Sequence, residues 1–300
     1  YSDANINSCI FAMNTTYNTG GGIFIRSRSS PIITDSDFLY NIQINNPIGS
    51  GGGITVYGSG SGGGPCYPTI TGCLFEGNTV TGDGGGLAAA YDAHPKLVDC
   101  TFRYNGAGRS GGGLACVADP DHTVPSNADV QGCVFEYNSS DEEGGGIHCR
   151  NSDPIINGAI VHGNTTGTTG GGINFFESPA AVLSNSVICE NTPNQLNGEF
   201  TDLGNNSISD ECEDCEGDAN GDGDVGVTDL LAVIDQWGQS NSPADFNNDG
   251  NLDLVTANLG TNCVSIFPGN GNGTFQIDKL LDAGEYGAFL AVGNLDNDGD

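Results

Sequence analysis

The sequence predicts an all-β fold: a right-handed parallel β-helix solenoid over residues 1–208, followed by a small calcium-binding region. Three observations support this prediction: a recurring asparagine, apolar and small residues at fixed distances before it, and a glycine triplet after it. Successive asparagines lie 26 to 37 residues apart, a period typical of solenoids. They are Asn14, Asn41, Asn78, Asn105, Asn138, Asn164 and Asn191.

Each repeat carries the same pattern before its asparagine. An apolar residue comes three positions earlier, as Phe11, Phe38, Phe75, Phe102, Phe135, Val161 and Ile188. A small residue comes five positions earlier, as Cys9, Ser36, Cys73, Cys100, Cys133, Ala159 and Ser186. Because one repeat is too small to bury a core, we expect equivalent residues to stack about 4.8 Å apart from coil to coil. The asparagines then point inward and form hydrogen bonds along the stack.

Glycine and proline mark where strands begin. Glycine triplets start at residues 20, 51, 84, 111, 144 and 170 and precede alternating apolar pairs such as Ile23 and Ile25, which is strand periodicity. Prolines ten residues before four of the asparagines are predicted to open strands. They are Pro31, Pro68, Pro95 and Pro154.

The Phe-x-x-Asn and Gly-Gly-Gly-Ile patterns resemble those of the polymorphic outer-membrane protein and parallel β-helix repeat families, over roughly residues 1–208. These families share their fold with pectate lyases and with adhesins. The resemblance therefore implies a fold and leaves the chemistry open.

Charge is distributed unevenly along the 300 residues, whose net charge is −31. Residues 1–208 hold 19 acidic and 6 basic residues, whereas residues 209–300 hold 19 acidic residues and one base, Lys279. Such a surface repels nucleic acid and anionic membranes and favours divalent cations. No apolar run approaches the length of a membrane span.

The 11 cysteines cannot all pair within the chain, because their number is odd. Cys73, Cys100 and Cys133 share one predicted column, and we expect them to be free thiols that pack as small apolar groups. Cys212-x-x-Cys215 lacks the second ligand pair of a zinc site, so a local disulfide or unpaired thiols are expected there.

Two predicted loops, residues 57–67 and 117–127, project from the same side of the solenoid two coils apart. With the turn between them they gather aromatic, acidic and histidine side chains: Tyr57, Tyr67, Tyr91, Asp92, His94, Asp119, Asp121 and His122. An aromatic and acidic cleft suits sugar rings, and paired carboxylates can serve glycoside cleavage. The alternative is two solvated insertions without a ligand.

Other polar residues have structural explanations in the sequence. Glu76, Arg103 and Glu136 lie two positions before consecutive asparagines, which predicts a cross-strand charge column on the outer face rather than a catalytic trio. His148 and His162 each stand alone and are expected to be surface residues.

Residues 209–216 form an acidic linker, and residues 217–240 contain a calcium-loop pattern. Oxygen-bearing side chains occupy loop positions 1, 3, 5, 7 and 12, with Gly223 at position 6 for the sharp turn. They are Asp218, Asn220, Asp222, Asp224 and Asp229. A helix is predicted over residues 230–237. This loop and helix resemble one segment of a dockerin, which implies bound Ca²⁺ and a cohesin as a partner, although a complete dockerin has two such segments.

Residues 241–300 repeat the acidic pattern in a different context. A second loop offers Asp245, Asn247, Asp249, Asn251 and Asp253, and alternating strand patterns follow at residues 252–257 and 264–267. A third loop begins 49 residues later, at Asn294, with Asp296 and Asp298. This region resembles an FG-GAP or VCBS repeat, the calcium-loop blade of a β-propeller, here in partial form.

These patterns together predict a secreted or cell-surface, Ca²⁺-stabilised β-helix protein with an adhesin-like or carbohydrate-binding role and no catalysis of its own. Its expected partner is a carbohydrate or an extracellular protein, and not nucleic acid. The first alternative is a polysaccharide lyase or glycoside hydrolase acting in a cleft on the loop-bearing edge. The second is a structural stalk that displays the C-terminal region.

Overall fold

The computed structural model describes residues 3–44, 50–58, 64–118, 124–212, 251, 254–258, 263–267, 270, 276 and 279–282. The chain divides into two units, Tyr1–Cys212 and Glu213–Asp300. In the described residues, no helix is long and apolar enough to span a membrane.

The first unit is a parallel β-helix in which each coil adds one short strand to each of up to four parallel sheets. The first sheet consists of Asn5–Asn7, Ile32–Thr34, Thr69–Thr71, Lys96–Val98, Asp129–Gln131, Ile155–Asn157, Val182–Ser184 and Thr201–Asp202. The second sheet consists of Ile10–Ala12, Asp37–Leu39, Leu74–Glu76, Thr101–Arg103, Val134–Glu136, Ile160–His162, Val187–Cys189 and Ser207–Ile208.

The remaining two sheets follow in the same order within each coil. The third sheet consists of Thr15–Thr16, Ile42–Gln43, Thr79–Val80, Gly106–Ala107, Ser139–Ser140 and Thr165–Thr166. The fourth sheet consists of Ile23–Arg26, Ile54–Tyr57, Leu87–Ala90, Leu114–Val117, Ile147–Arg150, Ile173–Phe176 and Leu196–Gly198. The predicted parallel β-helix is therefore confirmed, and each of the four prolines immediately precedes a strand of the first sheet.

Stacked side chains form the core of this unit. Phenylalanine rings on neighbouring coils have centroids 4.4 to 5.0 Å apart and planes within 9° of parallel. The stack consists of Phe11, Phe38, Phe75, Phe102 and Phe135. Their Cα atoms pair in exact register from strand to strand, which places each ring over its equivalent. The spacing of the rings thus follows the spacing of the strands.

The asparagines form the predicted inward ladder. Asn105 Oδ1 accepts hydrogen bonds from the backbone N–H and the Nδ2 of Asn78, both at 3.0 Å. Asn105 Nδ2 donates to the Phe75 carbonyl and to Asn138 Oδ1, both at 2.9 Å. The residue before each asparagine has a positive φ, as at Tyr104 (φ 55°), so the chain bends there. The ladder supplies partners for backbone groups that this bend removes from the sheets.

Two glycines show why the triplets are needed. Gly84 has a φ of +75°, which L side chains rarely adopt. At Gly85, an added Cβ would lie 2.4 Å from the carbonyl oxygen of Gly112 on the next coil. The triplet therefore lets the chain turn and lets consecutive coils approach closely.

The cysteine predictions have a mixed outcome. Cys73, Cys100 and Cys133 are buried free thiols, as predicted. The prediction for Cys212 was wrong, because Cys212 is disulfide-bonded to Cys189, 23 residues earlier, and not to Cys215. The final segment of the first unit returns to the outer face of the second sheet, which brings Cys212 to Cys189. Cys215 lies outside the described residues.

In the second unit, the described strands form a three-stranded antiparallel sheet. The strands are Leu254–Asn258, Cys263–Phe267 and Lys279–Asp282. The first two agree with the alternating patterns in the sequence. The helix predicted over residues 230–237 lies outside the described residues.

Candidate functional site

The loop-bearing edge is the corner between the fourth and first sheets. Tyr57 ends the strand Ile54–Tyr57, and Tyr91 follows the strand Leu87–Ala90 on the next coil. Their rings stack with centroids 4.4 Å apart. On the other side of this corner, the Tyr67 ring stacks on His94 at 5.2 Å, and Tyr67 is 55% exposed. The structure thus places two ring pairs on the same two coils.

Hydrogen bonds fix the orientation of His94. Its Nδ1 accepts a hydrogen bond from the backbone N–H of Asn127 at 3.3 Å, so the ring proton of the neutral form is on Nε2. Nε2 then donates to Asp92 Oδ1 at 2.9 Å. Tyr91 and Asp92 both have positive φ, 56° and 71°, a strained arrangement for consecutive non-glycine residues. The turn therefore holds Asp92 and His94 in one fixed geometry.

The structure brings together five of the eight residues predicted for this edge. Asp119, Asp121 and His122 lie outside the described residues, as does the tip of the other loop, residues 59–63. Asn251 is the one described residue among the predicted calcium ligands, and it lies in a bend. The other predicted ligands are outside the described part of the chain: Asp218, Asn220, Asp222, Asp224, Asp229, Asp245, Asn247, Asp249, Asp253, Asn294, Asp296 and Asp298.

The same corner continues along the solenoid towards its C-terminal coils. The last residues of five consecutive strands of the fourth sheet occupy equivalent positions in register. They are Tyr57, Ala90, Val117, Arg150 and Phe176. Four coil steps separate Tyr57 from Phe176, a distance of about 19 Å at the usual strand spacing. At the far end, Phe176 is 41% exposed and lines an open cavity of about 500 Å³. Between the two ends of this row, Ala90 is buried.

The prediction for His148 was wrong: it is 3% exposed rather than on the surface. It points outward from the fourth sheet, where Glu143, in the turn before the strand, and Asn174, on the next coil, contact it. Glu143 Oε2 lies 3.7 Å from His148 Nδ1, and Asn174 Nδ2 lies 3.2 Å from the same nitrogen. Burial, with the nearby charges of Arg150 and Arg109, lowers the pKa of His148 to about 3. His148 is therefore neutral at physiological pH.

A buried carboxyl group lies in the same turn position two coils earlier. Asp83 is 8% exposed, accepts a hydrogen bond from the Ser110 N–H at 3.2 Å, and lies 3.4 Å from Arg109 Nη1. Burial raises the pKa of Asp83, although Arg109 and Arg150 act in the opposite direction. The sequence could have indicated this cluster, because Asp83 and Glu143 each directly precede a glycine triplet and therefore occupy equivalent positions in their coils.

The charge column on the second sheet forms as predicted. Arg103 Nη2 donates to Glu76 Oε2 at 2.8 Å, and Arg103 Nη1 lies 4.0 Å from Glu136 Oε1. The Tyr40 hydroxyl donates to Glu76 Oε1 at 2.6 Å. Hydrogen bonds from Tyr40 and Arg103 lower the pKa of Glu76. The carboxylates of this column are therefore engaged in structural contacts.

Comparison with known families agrees with this architecture. The family model for the right handed beta helix region matches residues 1–192, more than half of the chain. The chain belongs to the right-handed β-helix family. In this β-helix protein, residues 245–300 also match the model of the FG-GAP-like repeat. Residues 217–240, which resemble a dockerin segment in sequence, lie outside both matched ranges. No curated protein and no solved structure is significantly similar to the chain.

Proposed function

We propose that this β-helix protein is secreted or displayed at the cell surface and binds a carbohydrate polymer along its loop-bearing edge without cleaving it. The observation that carries the proposal is the pair of ring stacks, Tyr57 with Tyr91 and Tyr67 with His94, on two consecutive coils. Aromatic rings with polar atoms at their rims suit sugars, which present both apolar faces and hydroxyl groups. Phe176, at the equivalent position four coils further on, is exposed and offers a further ring on the same side of the β-helix.

The hydrogen bonds of Asp92 and His94 support a role in binding hydroxyl groups. Both ring nitrogens of His94 have partners, and the Asp92 carboxylate accepts one of those hydrogen bonds. The pair is therefore suited to orient hydroxyl groups.

Binding to a panel of acidic and neutral polysaccharides, measured by calorimetry, tests this proposal. We expect Tyr91→Ala and Tyr67→Ala each to weaken binding of the best ligand at least fivefold, because each removes one ring of a stack. Tyr104→Ala is the matched control, since Tyr104 is an exposed tyrosine that stacks on Tyr137 away from this edge. Equal weakening by all three variants, or no binding to any polysaccharide, would contradict the proposal.

One observation favours the alternative of a polysaccharide hydrolase or lyase. The raised pKa of Asp83 is the property that a general acid needs, and Arg109 lies beside it. It differs from the cleft on the loop-bearing edge that the sequence suggested, because it places the chemistry beside Asp83 and Arg109. It predicts new reducing ends or unsaturated products from one polysaccharide of the panel. Asp83→Asn should abolish them, and Asp129→Asn, at an exposed acid paired with Lys96, should not.

We also propose that Ca²⁺ stabilises the C-terminal region. The support is the spacing of oxygen ligands in the loops at Asp218 and Asp245 and the match of residues 245–300 to the FG-GAP-like repeat. Without a cation, the carboxylates of each loop would repel one another at short range. Extracellular calcium modules bind at about 10⁻⁴ to 10⁻³ M, and we expect an affinity in this range for the proposed loops.

A further inference from the structure

A group of potential metal ligands lies where the β-helix ends. His162 and Cys189 close neighbouring strands of the second sheet and pair in register. Glu190 directly follows Cys189, and Cys212 is the last residue of the first unit. Since Cys212 is bonded to Cys189, the last segment of the unit is fastened to the sheet at this point. We call these four residues the terminal clip.

The donor atoms of the terminal clip are close enough to surround one ion. One ligand atom each of His162, Glu190 and Cys212 lies within 4.8 Å of the others. The Cys189 sulfur is bonded to that of Cys212 and supplies a fourth donor. Tetrahedral zinc with ligands at 2.0 to 2.3 Å has neighbouring donors about 3.3 to 3.8 Å apart. The donors of His162, Glu190 and Cys212 are thus within about 1.5 Å of this spacing, and the two sulfurs can separate once the disulfide is reduced.

The surroundings of His162 fit a ligand. Glu136 Oε2 lies 3.3 Å from His162 Nε2, so a carboxylate already contacts the imidazole. Histidines that bind metals usually have such a partner on the second ring nitrogen, which fixes the ring and raises its basicity. Glu136 also lies 4.0 Å from Arg103, so it is itself held in place. His162, Cys212 and Glu190 are at least partly accessible to solvent.

We infer that the terminal clip is a metal site that exchanges with its disulfide. A dithiol reductant transfers two electrons to the Cys189–Cys212 bond and leaves as its own disulfide, while both cysteines become thiols. Zn²⁺ then displaces two protons, and the two thiolates bind it with His162 and the Glu190 carboxylate. The last segment of the β-helix is thus fastened by a covalent bond under oxidising conditions and by a metal ion under reducing conditions.

The test uses the full chain and Co²⁺, because thiolate-bound Co²⁺ has a charge-transfer band in the near ultraviolet. The chain is reduced with dithiothreitol, freed of it by anaerobic gel filtration, and titrated with Co²⁺ in excess Ca²⁺. We expect one Co²⁺ per reduced chain with this band, its displacement by one equivalent of Zn²⁺, and no band from the oxidised chain. Absence of the band from the reduced chain would overturn the inference.

Variants identify the ligands. Cys189→Ser should abolish the four-ligand spectrum, and His162→Gln should weaken Co²⁺ binding at least tenfold while retaining the disulfide, as counted by thiol titration. Cys215→Ser and His148→Gln are controls and should leave the titration unchanged. A band that persists in Cys189→Ser with undiminished affinity, or that is lost in Cys215→Ser, would place the metal elsewhere and overturn the inference. None of these outcomes depends on carbohydrate binding.

Discussion

Replacement of Asn105 by leucine tests whether the asparagine ladder stabilises the β-helix. The substitution keeps the number and branching of the side-chain heavy atoms but removes four hydrogen bonds: two that Oδ1 accepts from Asn78, and two that Nδ2 donates, to Phe75 and Asn138. Two of the affected groups keep another partner. Asn78 Nδ2 still donates to the Phe38 carbonyl at 2.7 Å, and Asn138 Oδ1 still accepts from the Asn105 N–H at 3.0 Å.

The buried backbone N–H of Asn78 is different, because Asn105 Oδ1 is the partner it uses in the ladder. An unsatisfied buried donor costs about 1–3 kcal/mol. The smaller losses at the groups that keep a partner are offset in part by the burial of leucine carbons. We therefore expect the free energy of unfolding to fall by about 1–3 kcal/mol, or roughly 2–12 °C in melting temperature for a unit of this size.

The measurement is thermal and urea unfolding followed by far-ultraviolet circular dichroism, which reports the β-helix. Asn14→Leu is the matched control, because Asn14 is exposed. Its Nδ2 donates to Asn41 Oδ1, and this oxygen keeps the hydrogen bond from the Asn14 backbone N–H when the side chain is replaced. It should change stability by less than about 0.5 kcal/mol. If both variants melted at the same temperature, the ladder would not have the stabilising role argued here.

Three further predictions follow from burial and charge. The pKa of His148 is about 3 in the folded state, below its value of about 6.5 in the unfolded state. The neutral histidine therefore stabilises the fold fully above pH 6.5, and this stabilisation is lost as the pH falls towards 3. His148→Gln should flatten the plot of melting temperature against pH between these two values. Chelation of Ca²⁺ should change the fluorescence of the single tryptophan, Trp237. It should also permit proteolysis C-terminal to residue 212 while residues 1–208 remain resistant. An identical digestion pattern with and without chelator would contradict the calcium proposal. A hydrogen bond with Cys133 and burial raise the pKa of Cys100 to about 12, although Cys73 acts in the opposite direction, so iodoacetamide should modify the less buried Cys9 much faster, as measured by mass spectrometry. Equal rates would place Cys100 at the surface.

Much of the β-helix could be predicted because every coil repeats the same pattern of apolar, small and asparagine residues. Once the asparagines set the register, Phe102 had to lie over Phe75, and Arg103 between Glu76 and Glu136, since parallel strands align equivalent residues. The same reasoning predicted that Pro95 would precede a strand. The FG-GAP resemblance of the C-terminal region was recognisable for a related reason, because its motif is local and contiguous.

The sequence by itself therefore determined which residues share a column, since that depends only on position within the repeat. The tertiary structure decided how neighbouring columns pack around the corners of a coil. His148 is outward by the period of its strand, yet it is buried and contacts Glu143 in the preceding turn and Asn174 on the next coil, which the period does not encode. Cys212 lies beyond Asn191, the last asparagine of the repeat pattern, so the pattern does not predict its position. The path of the final segment brings it to Cys189. Contacts between columns depend on corner geometry and side-chain length, which a one-dimensional repeat does not encode.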